Sequence, residues 1–160
     1  MRSLLFLTTI LAATLTSAAE PTTTPSKPLP NKEELEKQFA ETMTGATFVG
    51  NFTTGEIKPD TKLQPERYTI SKAEKLKGDY WLISTRIQYG DRDVTLPLPL
   101  RVVWSGDTPV ITLDDLPIPG FGTFTARVLV FKNQYAGTWS GKDHGGHLFG
   151  RIERNAKENN

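Results

Sequence analysis

The stretch Asp93-Val94-Thr95-Leu96-Pro97-Leu98-Pro99-Leu100-Arg101-Val102-Val103-Trp104 decides the fold. Val94, Leu96, Leu98, Leu100, Val102 and Trp104 fall on one parity, while Asp93, Thr95, Pro97, Pro99 and Arg101 fall on the other. Side chains alternate across a strand, so this pattern predicts a β-strand with one apolar face against a core and one face in water. Pro97 and Pro99 are two residues apart, so both missing N–H groups point to the same lateral side. That side cannot carry a complete ladder, and it is expected to lie at an edge, a gap or a distorted seam.

The period of two extends in both directions. Upstream, Ala46, Phe48, Gly50 and Phe52 alternate with Thr47, Val49, Asn51 and Thr53; Tyr68 and Ile70 follow, then Trp81, Ile83, Thr85, Ile87 and Tyr89. Lys77-Gly78-Asp79 and Gly90-Asp91 carry hairpin-turn residues between these runs. Downstream, Ser105-Gly106-Asp107 turns into a short strand at 109–113, and 116–120 reads as a loop. A near-continuous apolar strand spans 123–132, and 134–142 pairs with 147–154. About eight short strands joined by tight turns, with no alternating helices, predict an all-β protein: an antiparallel barrel or sandwich. One helix precedes them. Asn31 and Glu34 have the spacing of a capping pair, Leu35, Phe39 and Met43 form one apolar stripe, and Gly45 stands where the helix should stop.

Before that helix, the chain reads as an export signal and a spacer. Arg2 is followed by the apolar run Leu4–Leu15 and by Thr16-Ser17-Ala18-Ala19, which predicts a signal peptide over residues 1–19 with cleavage before Glu20. The apolar run is too short to span a bilayer, so no membrane span is expected after cleavage. Residues 20–30 hold four prolines and form a solvated spacer, leaving 31–160 as one domain. The expected location is secreted or periplasmic.

The whole chain has 19 basic and 18 acidic residues. Removing Arg2 with the signal balances the two signs, so electrostatics give no reason to expect nucleic acid as a partner. There is no cysteine, which excludes disulfides and thiolate metal sites. The domain must therefore be stable through its core alone. No nucleophile elbow, phosphate loop, HExxH or dinucleotide fingerprint is present, so no cofactor is implied and no catalytic residue can be named.

Two groups of side chains are candidates for function. Lys142-Asp143-His144-Gly145-Gly146-His147-Leu148 contains both histidines. With Gly145-Gly146 as a two-residue turn, His144 faces His147 and Trp139 faces Ile152. Two opposed imidazoles can supply two metal ligands, but a closed site needs more, and a solvated hairpin tip is the reading the residues favour. In that reading, Gly137, Gly141 and Gly150 share a face with Trp139. Small residues beside aromatics either leave a cavity inside a barrel or permit bending. If the barrel holds a small apolar ligand, Phe48, Phe52, Trp81, Trp104 and Trp139 are its expected wall. The adjacent carboxylates Asp114-Asp115 would point opposite ways on a strand and are expected to serve a turn.

The helix, the strand Thr44-Gly45-Ala46-Thr47-Phe48-Val49-Gly50-Asn51-Phe52 and the element Ala136-Gly137-Thr138-Trp139 resemble the calycin barrels, lipocalins and avidins. The resemblance covers residues 31–154 and implies an eight-stranded barrel with an interior binding site. The segments Val102-Val103-Trp104-Ser105-Gly106-Asp107-Thr108-Pro109, Pro119-Gly120-Phe121-Gly122-Thr123-Phe124 and Gly145-Gly146-His147-Leu148-Phe149-Gly150 also resemble a group of short secreted bacterial proteins with no assigned activity. That second resemblance implies bacterial export and adds no chemistry. Three readings follow for function: a non-enzymatic binding or structural module, a metal-dependent or hydrolytic enzyme built on His144 and His147, and a cell-envelope interaction module using the edge near Pro97 and Pro99. Protein partners are not identified by any motif.

Overall fold

A computed structural model describes residues 30–154. The expected signal peptide, and the spacer up to residue 29, lie outside the described residues.

The chain forms one helix, α1 (Lys32–Met43), followed by eight strands: β1 (Ala46–Phe52), β2 (Gln64–Lys75), β3 (Tyr80–Tyr89), β4 (Arg92–Ser105), β5 (Thr108–Ile118), β6 (Gly122–Phe131), β7 (Gln134–Ser140) and β8 (Gly145–Arg154). Each strand pairs antiparallel with the next, and β8 pairs back onto β1, closing a barrel. This is the expected all-β, eight-stranded, calycin-like architecture. Closure satisfies the sheet edges that an open sheet would leave as unpaired N–H and C=O groups.

Helix α1 begins as its sequence requires. The Glu34 amide donates to Asn31 Oδ1 at 2.9 Å, and the Asn31 amide donates back to Glu34 Oε2 at 3.3 Å. Such a cap contributes about 1 kcal/mol. Leu35, Phe39 and Met43 are buried, and the Phe39 ring meets Trp81 edge-on at 4.8 Å and Trp104 at 6.1 Å. The helix thus lays its single apolar stripe over one end of the barrel. Ion pairs from Glu36 to Lys75 and from Lys32 to Asp79 tie it to the β2–β3 hairpin. Gly45, at φ +78°, ends the helix and turns the chain into β1.

Strand β4 follows the alternation of its sequence: Leu98, Leu100 and Val102 are buried, while Thr95, Pro97 and Pro99 are exposed. Its ladder is asymmetric. Ten residue pairs join it to β3, from Tyr80↔Arg101 to Tyr89↔Arg92, whereas pairing with β5 runs only from Arg101↔Thr112 to Ser105↔Thr108. The Val102 N–H donates to Asp79 O, on the β3 side, so the odd-numbered residues of β4 turn their amide positions toward β5. The two prolines therefore lie on the β5 side, beyond the point where that ladder ends. The expected gap is found there, within a closed barrel.

Two local expectations are corrected. The segment 116–120 is not all loop, because β5 continues to Ile118 past a bulge at Asp114-Asp115. Asp115 takes φ +47°, its amide donates to Thr125 Oγ1, and Thr125 Oγ1 donates to its carboxylate. Asp114 meets Arg101 and Arg127. The carboxylates cap a bulge within the strand instead of ending it.

The β7–β8 hairpin is also re-registered. Ser140 pairs with Gly145 and Trp139 with Gly146, and the turn is Gly141–His144, closed by the Gly141 amide on His144 O at 2.7 Å. Gly145 and Gly146 lie inside β8, and their lack of a Cβ answers a different need. A Cβ on Gly146 would collide with the carbonyl of Thr53, whose segment crosses closely here. Thr53 donates its amide to His147 O, and Gly55 donates to Gly145 O. The shift moves β8 by an even number of residues, so Trp139, Leu148, Gly150 and Ile152 still share the inner face, as the sequence predicts.

Candidate functional site: a lined barrel interior

The barrel encloses a cavity of about 490 Å³. Met43 of α1 lines it beneath the helix, and the exposed residues Gln64, Arg92 and His144 line it at the far end. One end is therefore closed by the helix and the other opens to solvent. An eight-stranded barrel is just wide enough either to be filled by its own side chains or to hold one small ligand. Pockets of roughly 300–1,000 Å³ are the usual size for small-molecule sites.

The opening carries a cuff of aromatic rings. Phe121 lies 5.5 Å from Tyr89, Tyr89 lies 5.8 Å from Phe52, and Phe52 lies 5.9 Å from Trp139. Trp139 also meets Phe124 at 6.2 Å and His144 edge-on at 5.3 Å. The rings come from β1, β3, β6 and β7 and the loops beside them, so the barrel's closure brings them together. The indole N–H of Trp139 is buried and has no hydrogen-bond partner among the described residues.

One charged side chain stands within the apolar wall. Glu66 on β2 is only 4% exposed and lines the cavity. Tyr68, two residues on and on the same face, donates its hydroxyl to Glu66 Oε2 at 2.8 Å, and Tyr135 on β7 donates to Oε1 at 2.9 Å. Burial pushes the Glu66 carboxyl above the usual carboxylate range, and the two hydroxyls oppose that shift. Burial and the adjacent carboxylate lift both phenols above their ordinary value.

The Tyr135 bond depends on two glycines. Tyr135 is paired with Gly150, Gly150 with Gly50, and Gly50 with Glu66, forming one row across four strands. A Cβ at Gly50 would collide with the Tyr135 hydroxyl, and one at Gly150 would come within 2.7 Å of its ring. The tyrosine lies sideways over both bare backbones to reach the carboxylate. Here the glycines do not leave empty space; they admit a side chain.

Of the residues expected to form a ligand wall, Phe48, Phe52 and Trp139 line the cavity. Trp81 and Trp104 do not: they pack beneath Phe39 at the closed end. His144 and His147 do not face each other. His147 pairs with Thr138 on the outward face of β8, and His144 lies in the turn against Trp139. No group of three or more His, Cys, Asp or Glu side chains suited to a metal ion occurs among the described residues. No motif in the sequence marks Glu66, Tyr68 and Tyr135 as site residues. The available signal was parity, since Glu66 is in phase with Tyr68 and Ile70 and so belongs to the inward face of β2.

No known protein-family model matches the chain, and no curated protein matches it either.

Proposed function

We propose that this protein is an exported, non-enzymatic, calycin-like module that binds a small, largely apolar molecule inside its barrel. The observation that carries the reading is the 490 Å³ cavity, closed by α1 and opening through an aromatic cuff. Its lining combines many apolar side chains with a few convergent polar groups, the usual make-up of a small-molecule site. Export rests on the leader-like sequence at residues 1–19. The two imidazoles do not converge on one point, because one faces outward and the other belongs to the mouth, so they offer no paired metal ligands in this arrangement.

Titration with the neutral fluorophore N-phenyl-1-naphthylamine tests the reading. Wild-type protein should bind it saturably at one site with a blue-shifted emission. Ala126→Phe, which places a ring in the cavity from β6, should weaken binding at least about tenfold while the protein stays folded. Absence of saturable binding to the wild type, or equal binding to the variant, would contradict it.

A further inference from the structure

We propose that the barrel selects a ligand with a protonated amine on an apolar body, the ammonium group seated on Glu66; this rests on the carrier reading above. The Glu66 carboxylate receives one tyrosine hydroxyl on each oxygen. An ionised carboxylate offers about four lone-pair sites, so roughly half its accepting capacity remains for a guest. The groups facing it are Tyr68 from its own strand and Tyr135 from β7, both uncharged donors.

The basic side chains that line the cavity, Arg92 and His144, stand at its mouth. Arg92 is already engaged there, donating to Gly120 O and lying over the Phe121 ring at 5.5 Å. No lysine is part of the lining. A carboxylate away from water and without a cation is unfavourable, and a ligand ammonium supplies the missing partner. The mouth suits the same guest, since faces of Phe, Tyr and Trp attract cations. A ligand ending in a carboxylate would meet a second carboxylate at Glu66, the one acidic side chain among the described residues of the wall.

The test is competition against N-phenyl-1-naphthylamine at neutral pH by three molecules of one skeleton: 4-phenylbutylamine, 4-phenylbutan-1-ol and 4-phenylbutyrate. In the wild type the amine should displace the fluorophore at a concentration at least about tenfold below that of the alcohol, with the carboxylate weakest. In Glu66→Gln the amine should fall to the level of the alcohol, while the alcohol changes less than about threefold, which also reports an intact fold. If Glu66→Gln does not fold, the wild-type ranking alone decides. Equal displacement by amine and alcohol, displacement by none of the three, or a preference that survives Glu66→Gln overturns the inference while leaving the carrier reading in place. Failure of the fluorophore itself to bind overturns both.

Discussion

Tyr135 on β7 donates its hydroxyl to Glu66 on β2 at 2.9 Å, across two strands that contribute only Gly150 and Gly50 between them. The bond joins non-neighbouring strands through the interior, so it braces the barrel as well as shaping the cavity. Tyr135→Phe should cost about 1–2 kcal/mol, because it leaves a buried carboxyl oxygen without its donor. A double-mutant cycle with Glu66→Gln, measured by urea unfolding, should return a coupling of about 1 kcal/mol. Strict additivity would show that the two side chains act independently.

The glycines make a stronger prediction. Gly50→Ala and Gly150→Ala each put a methyl where the Tyr135 side chain lies and where neighbouring backbone passes. Each should destabilise the protein by about 3 kcal/mol or more, well above the cost of an ordinary alanine substitution in a strand. In a Tyr135→Ala background the Gly50→Ala penalty should shrink, as the hydroxyl is no longer in the way. Thermal and urea unfolding check both, and a neutral Gly50→Ala would contradict the packing.

Burial raises the Glu66 carboxyl above its unfolded value, so the folded state holds that proton more tightly. Its contribution to stability is fully present below the ordinary carboxylate pKa of about 4 and is lost as pH rises through the folded value. Tyr68 and Tyr135, the groups facing it, stay protonated throughout that range. The stability of wild type relative to Glu66→Gln should therefore fall as pH rises from about 4 toward neutrality. Urea unfolding at closely spaced pH values checks this; a difference that rises with pH would refute the assignment.

At the seam, Pro99→Ala would create an amide on the β5 side, where the ladder has already ended at Arg101. The new N–H should exchange rapidly with deuterium, whereas the Leu98 N–H, turned toward β3, should be protected. The substitution should cost no more than about 1 kcal/mol, the scale of a proline's effect on the unfolded chain. Protection of residue 99 matching that of Leu98 would mean that β5 completes the ladder.

Strand β4 was legible because its alternation runs unbroken from Asp93 to Val102, and its prolines mark a gap that pairing confirms. Helix α1 was legible because the Asn31–Glu34 cap and the Leu35–Phe39–Met43 stripe are both local. The β7–β8 register was not, because Gly145-Gly146 has the composition of a turn while its role is set by Thr53, remote in sequence and pressed against it. The carboxylate site was hidden for a related reason. Glu66, Tyr135 and their two glycines come from four strands, and only barrel closure puts them in one row. The aromatic wall was half legible: composition nominates all three tryptophans, but only the placement of α1 shows that Trp81 and Trp104 pack beneath Phe39.

The most direct test is where an apolar guest sits. In ¹H–¹⁵N NMR spectra titrated with N-phenyl-1-naphthylamine, the indole N–H of Trp139 and the amides of Phe52, Glu66 and Ile87 should shift and saturate together, with Trp81 at the closed end little moved. Shifts confined to the outward residues Leu129, Phe131 and Phe149, which are exposed apolar side chains, or no saturable shifts at all, would contradict an interior binding site.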